Sequence, residues 1–212
     1  GRVAPMTTVI VDYESGNLHS AEKAFQRMAQ EVGAGAVEVT SDPDVIRRAS
    51  RVVLPGDGAF PSCRAALFDH RGVLEAMDEV VRRGGKPFMG ICIGMQMLAT
   101  RGLEYEATPG FDWIPGEVRA LAPSDATLKV PHMGWNQLTQ LQTGLMKDLG
   151  PDPYVYFVHS YYVETGPDTI ATTGYGLDFS AALHKDNFYA TQFHPEKSSK
   201  VGAKILDNFL QL

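Results

Sequence analysis

Two periods of hydrophobic spacing alternate along the first half of the chain. Thr7–Tyr13 (TTVIVDY) is a continuous apolar and β-branched run and predicts a buried strand. A turn at Ser15–Asn17 follows. Leu18, Ala21, Phe25 and Met28 then recur at helical spacing, which predicts a helix from an Asn17 cap to about Glu31, broken at Gly33-Ala34-Gly35. Val37–Thr40 reads as a short strand. Ser41–Ala49 reads as a short helix with Ser41 or Asp42 as cap and Pro43 in its first turn. Arg51–Leu54 is a third strand and ends abruptly at Pro55-Gly56-Asp57-Gly58. Val73, Leu74, Met77, Val80 and Val81 mark a helix that stops at Gly84-Gly85; Lys86–Cys92 is a strand, and a helix begins over Gly94–Ala99. This β-α alternation predicts a parallel sheet with right-handed crossovers.

The second half changes period. Gly116–Leu121, Val130–Leu138, Tyr154–Val163, Thr169–Gly174, Ser180–Lys185 and Phe188–His194 read as strands with short connections, with a hairpin turn at Lys185-Asp186-Asn187. Ser199–Leu210 closes as a helix with Val201, Ile205, Leu206, Phe209 and Leu210 inward. The pattern predicts one α/β domain over 6–212, parallel first and rich in antiparallel pairs later. Gly1–Pro5, ahead of Met6, is read as foreign to the fold.

Composition narrows the function classes. A net charge of −6 counts against nucleic-acid binding, which normally needs a basic face. No apolar run approaches the roughly 18 residues that would predict a membrane span, and no secretory leader pattern opens the sequence. Two cysteines, Cys63 and Cys92, do not make a disulfide scaffold and suit a reducing, cytoplasmic setting. No zinc-type spacing of Cys or His occurs, so neither metal nor cofactor is expected.

Gly90-Ile91-Cys92-Ile93-Gly94 falls where a buried strand turns into a helix. Small residues flank the central one at a spacing of two, the pattern of a nucleophile elbow with Cys in place of Ser. The glycines are expected where strand and helix crowd the turn. A helix N-terminus favours thiolate over thiol and leaves N–H groups, that of Ile93 among them, for an oxyanion. Free cysteine is also among the most buried residue types, and Cys63, with no such context, is read that way. In Phe193-His194-Pro195-Glu196, proline biases His194 toward extended backbone, where residues two apart share a side. Glu196 can then orient His194, the arrangement that covalent acyl transfer needs. His19, His70 and His184 read as solvated; His132 and His159, in strands with polar neighbours, could line a site. The Gly56-Asp57-Gly58 loop, beside the elbow on a neighbouring strand, could aim a second N–H at the oxyanion.

Gly90-Ile-Cys92-Ile-Gly94-Met-Gln96 followed by Phe193-His194-Pro195-Glu196 resembles the class I (triad) glutamine amidotransferases. A narrower resemblance, to the glutaminase subunits of imidazole glycerol phosphate synthases, rests on Val11–Leu18, Pro131–Asn136, Tyr156–Tyr161 and Lys185–Tyr189, and extends from Thr8 to Leu210. The resemblance implies a flavodoxin-like three-layer α/β sandwich whose central sheet is mostly parallel with additional antiparallel strands. It also implies that Cys92 attacks the glutamine side-chain amide, that His194 protonates the departing ammonia, and that Glu196 orients His194. Gln96, Glu104, Ser160 and Tyr161 would contact glutamine; Ile93 and Gly56-Asp57-Gly58 would hold the oxyanion. Asn17, Trp135, Tyr156 and Lys197 match positions near the subunit interface and ammonia exit.

The same resemblance implies a (β/α)₈-barrel cyclase partner that consumes the ammonia to make imidazole glycerol phosphate and an aminoimidazole carboxamide ribotide. Only 16 residues follow Glu196, so that partner is expected on another polypeptide. The isolated chain is expected to be a poor glutaminase until the partner shifts the oxyanion loop. The family's loop commonly reads Pro-Gly-Val-Gly; here Asp57 takes the apolar place, and its carboxylate is expected to point outward, away from the oxyanion. Alternatives are the glutaminase subunit of an anthranilate or carbamoyl phosphate synthase, a stand-alone γ-glutamyl cysteine hydrolase, and a non-catalytic binding module on the same fold. Met133-Gly134-Trp135-Asn136 argues against the first and the intact Cys92/His194/Glu196 set against the last.

Overall fold

A computed structural model describes residues 5–14, 16–104 and 107–212. The expectations for Gly1–Ala4 and for Ser15 fall outside them. Five strands form the parallel body of the central sheet: β1 (Thr7–Val11), β2 (Ala36–Thr40), β3 (Arg51–Leu54), β4 (Phe88–Ile91) and β13 (Phe188–Thr191). β11 (Thr169–Gly174) and β12 (Asp178–Lys185) add to one edge antiparallel, giving the order β11-β12-β13-β4-β3-β1-β2. The β-branched runs are central because both faces are covered: Val9, Ile10, Val11, Val52, Val53 and Leu54 are all fully buried.

Helix α1 (His19–Val32) leads from β1 to the β2 edge. Helices α2 (Pro43–Arg47), α3 (Phe60–Asp69) and α4 (Arg71–Met77) serve crossovers running the opposite way across the sheet. Right-handed connections therefore place them on the other face, the outer layers of a three-layer sandwich. The C-terminal helix α6 (Ser199–Leu210) packs on α1, with the Phe25 and Phe209 rings edge to face at 6.5 Å. Removing either ring would cost about 3–5 kcal/mol.

The caps follow the sequence closely. Gly33 ends α1 in the left-handed region, and Asp42, rather than Ser41, caps α2 by accepting from the Asp44 N–H at 2.9 Å. Asn17 accepts from the His19 N–H at 2.9 Å, although Leu18 directly precedes the helix. The helix before β4 finishes in a π-helical turn, Asp78–Arg83, and ends at Gly84.

Several features depart from the expectation, the short β5 and β6 strands among them. The pattern predicted no helix over 60–69, yet α3 forms there, its first turn held by Glu104 from a distant loop, which accepts from the Phe60 N–H at 2.5 Å. The expected strand over 154–163 is broken at Ser160 into β9 (Tyr154–His159) and β10 (Tyr161–Val163). β9 pairs with β8 (His132–Gln137) as a separate hairpin sheet. β10 joins β7 (Glu117–Ala120) and the short β5 (Arg101–Gly102) and β6 (Thr108–Pro109). No helix among the described residues is long and apolar enough to cross a membrane.

Candidate active site

Three adjacent strands, β3, β4 and β13, deliver three pieces of chemistry from their carboxyl ends, where open α/β sheets bind ligands. From β4 comes Cys92, at φ 57° and ψ −112°, a strained conformation for a side-chain-bearing residue. The flanking glycines explain how the turn fits. A Cβ on Gly94 would lie 1.8 Å from the Leu54 carbonyl oxygen, and one on Gly90 would lie 2.5 Å from the Gly94 oxygen. The helix that follows, α5 (Ile93–Gln96), is a single turn, shorter than the expected Gly94–Ala99.

From β13 comes His194. Its N–H donates to the Tyr156 carbonyl at 3.0 Å, and its own carbonyl accepts from the buried Ser198 hydroxyl at 2.6 Å. Its Nδ1 lies 2.6 Å from Glu196 Oε1. Both side chains are buried. Burial opposes a charged ring, but the hydrogen bonds and negative charges of Cys92 and Glu196 outweigh it and push the His194 pKa up to about 10. The Nε2 edge of the ring completes no hydrogen bond among the described residues and is left to Cys92.

Gln192 belongs to this site and was not anticipated. It is fully buried, sends its Nε2 to Cys92 Sγ at 3.7 Å and accepts from Gln96 Nε2 at 3.2 Å. A usable signal was present: in extended chain it shares a side with His194, two residues on.

From β3 comes the 55–58 loop. Three successive carbonyls are each bound: Pro55 O by the Tyr13 hydroxyl at 2.6 Å, Gly56 O by the Ile93 N–H at 3.3 Å, and Asp57 O by the Cys63 thiol at 3.0 Å. The Ile93 N–H expected to serve the oxyanion is thus occupied in this structure. The outward placement expected for Asp57 is also overturned. Its carboxylate Oδ1 stands 3.9 Å from His194 Nε2, with the side chain half exposed, because the loop turns this residue toward the cleft. Cys63, read as a small core hydrophobe, is buried as expected and also holds this loop. Burial, with the nearby charges of Cys92 and Asp57, pushes its pKa up to about 11, so it remains a neutral thiol.

Cys92, Ile93, Gln96, Glu104, Ser160 and Tyr161 line one cavity of about 430 Å³, with Asp57 and Gly58 at its edge. That brings the expected glutamine contacts together. Glu104 also supports α3; burial raises its pKa and the Phe60 N–H bond works against that rise. Behind this cavity runs a directional chain. Asn136 Nδ2 also donates to the Gly174 carbonyl at 2.9 Å, so it meets His132 Nε2 at 3.3 Å as a donor. His132 Nδ1 meets His159 Nε2 at 2.9 Å, and His159 Nδ1 donates to the Tyr161 carbonyl at 2.7 Å. Every nitrogen is satisfied only if both rings are neutral. Burial pushes His132 down to about 4. Burial also depresses His159, to about 3; the Tyr161 bond opposes this and the charges of His132 and His194 add to it.

Of the remaining histidines, His19 is exposed, whereas His70 bonds the Ala66 carbonyl at 2.8 Å between α3 and α4. His184 stacks on Tyr189 at 4.1 Å, so neither of these two is merely solvated. Asn17 and Lys197 lie with Gly56, Asp57, His194 and Glu196 around a second cavity, of about 100 Å³. Trp135 and Tyr156 pair across β8–β9 with ring centroids 6.1 Å apart. Met133, Trp135 and Tyr154 are exposed and Tyr156 is half-buried, and together they make an apolar face on the hairpin. Among the described residues no group of three or more His, Cys, Asp or Glu side chains could hold a metal ion.

A model of the class I glutamine amidotransferase family matches residues 9–212, and the chain belongs to that family. Solved structures agree in fold. A glutamine amidotransferase crystal structure superposes with a TM-score of 0.70 at 17% identity, covering 96% of this chain and 97% of its own. The glutaminase domain of Trypanosoma brucei CTPS gives 0.67 at 14% identity over 96% of this chain and 92% of its own. More particular is the likeness to imidazole glycerol phosphate synthase subunit HisH of Cereibacter sphaeroides, 56% identical over 97% of this chain and 98% of that protein. The same subunit of Ruegeria pomeroyi is 53% identical over the same shares.

Proposed function

We propose that this chain is the glutaminase subunit of an imidazole glycerol phosphate synthase, acting in histidine biosynthesis. The observation that carries the chemistry is the 2.6 Å bond from His194 to buried Glu196, with the opposite ring edge left to a cysteine on a strained elbow. In this reading Cys92 Sγ attacks the side-chain carbonyl carbon of glutamine. The carbon–nitrogen bond breaks, and the His194 proton leaves with the nitrogen as ammonia. The γ-glutamyl thioester is then cleaved by water, which gives a proton to His194 as its oxygen attacks and the carbon–sulfur bond breaks, releasing glutamate and restoring the Cys92 thiolate beside a protonated His194. Gln96, Glu104, Ser160 and Tyr161 position the substrate.

The oxyanion donors are the Ile93 N–H and an N–H of the 55–58 loop. The bond from Ile93 to Gly56 favours a resting state. Rotating the Gly56–Asp57 peptide would break it and turn two donors toward the oxyanion together, worth roughly 10²–10³ each in rate. The partner is a (β/α)₈-barrel cyclase subunit, docked on the Met133, Trp135, Tyr154 and Tyr156 face next to Pro131 and Val158 of the glutamine cavity. Ammonia passed directly to it stays unprotonated and nucleophilic.

The test is glutamine hydrolysis with and without the cyclase subunit. Slow turnover alone and strong stimulation by the cyclase is the expected result. Full turnover alone would favour a stand-alone γ-glutamyl hydrolase. No turnover with the cyclase would remove the reading.

A further inference from the structure

Asp57 occupies an unusual position, since one residue is held at both ends by parts of the site. Its carbonyl accepts from the Cys63 thiol at 3.0 Å, and Cys63 is carried by α3, outside the reacting groups. Its carboxylate stands 3.9 Å from His194 Nε2, the ring nitrogen that also faces Cys92 and completes no hydrogen bond among the described residues. Its β-carbon and carboxylate face Gly16, where an added side chain would only touch them, at 3.4 Å, so the carboxylate has room to leave. The peptide that must rotate to free the Ile93 N–H is the one that leads into this residue. A rotation that carries Asp57 with it takes the carboxylate from the imidazole and strains the thiol bond.

We infer that Asp57 is a positioning residue that latches the 55–58 loop in its resting form, through its carboxylate on His194 and its carbonyl on Cys63. This rests on the glutaminase reading above. The raised pKa of His194 supplies a charged ring for the carboxylate over the working range. The latch also explains how a carboxylate is tolerated beside a developing oxyanion. It withdraws with its own peptide as the donors swing in, so charge and oxyanion do not face one another in the active form.

The test measures steady-state glutamine hydrolysis by the wild type and by Asp57→Asn, Asp57→Val, Asp57→Glu and Cys63→Ala, each alone and with the cyclase subunit. Asp57→Asn and Asp57→Val should raise kcat of the isolated chain about tenfold, which is about 1.4 kcal/mol, with KM changed less than twofold. Asp57→Glu keeps the charge and should stay near the wild type, and Cys63→Ala should give a smaller rise. Circular dichroism spectra and cyclase binding like those of the wild type should show that all four fold. The latch is overturned if Asp57→Asn alone is no faster than the wild type while its complex is fully active. A rise shared by Asp57→Glu, or loss of turnover in the Asp57→Asn complex, also overturns it. If the wild-type complex hydrolyses no glutamine, the glutaminase reading fails instead and takes the latch with it.

Discussion

Lowering the pH from 7 to 5 demands protons of two rings that the folded chain keeps neutral. The chain from Asn136 through His132 and His159 to the Tyr161 carbonyl has one donor and one acceptor at each link. A proton added to His159 Nε2 would meet the His132 Nδ1 proton head-on at 2.9 Å. One added to His132 Nε2 would meet the Asn136 amide hydrogens at 3.3 Å. The unfolded chain has no such obstacle and takes up protons near pH 6.5. The folded values of about 4 and about 3 lie below that, so the unfolded state binds more protons through this window and stability falls as the pH falls. Integrated from pH 7 to 5, each ring contributes about 2 kcal/mol of lost stability at most, or about 4 for both. For a chain of this size that lowers Tm by about 8–16 °C.

His194 runs the other way: its folded pKa is raised, so its contribution is complete below 6.5 and fades as the pH climbs toward about 10. Differences between variants therefore carry the test. Urea unfolding at pH 7, 6 and 5 should show that His132→Gln and His159→Gln lose less stability on acidification than the wild type, by up to about 1.4 kcal/mol per pH unit for each titrating ring removed. If both variants keep the wild-type slope, the rings are not held neutral and the assigned tautomers are wrong.

Cys92→Ala should abolish glutamine-dependent synthesis by the complex while synthesis from added ammonium salts survives; loss of both would make Cys92 structural. Glu196→Gln should slow glutamine hydrolysis by roughly 10²–10⁴. His194→Ala should cost more, because the orienter does not itself move protons; equal losses in kcat/KM would contradict those roles. Gly94→Ala places a methyl carbon 1.8 Å from the Leu54 carbonyl oxygen, a backbone atom that cannot yield. It should cost more than about 4 kcal/mol and leave little soluble folded protein, checked by circular dichroism and thermal melts. Gln192→Leu should leave the fold intact but lower kcat, because Cys92 and Gln96 lose a shared buried partner; unchanged kinetics would make Gln192 a packing residue only.

Local chemistry determined a good deal by itself. Apolar β-branched runs specified β1 and β3, and short apolar or aromatic runs specified β4 and β13, because a parallel strand covered on both faces needs side chains that are apolar on both sides. Gly90 and Gly94 marked the elbow, and Pro195 favoured the extended backbone seen at His194, since these act over two residues; Glu196 then reaches the ring through a 3-10 turn, Pro195–Lys197, where continued extended chain was expected. Tertiary structure decided what depends on distant partners. Helix α3 has no strong amphipathic spacing and forms where Glu104, 44 residues away, holds its first N–H. The break at Ser160 arises because β9 and β10 pair into different sheets. Gln192 became part of the site only when the sheet set β13 beside β4. Asp57 turned inward for the same kind of reason: its direction is fixed by Tyr13, Ile93 and Cys63 gripping three carbonyls in a row, and no neighbour in the chain encodes that grip.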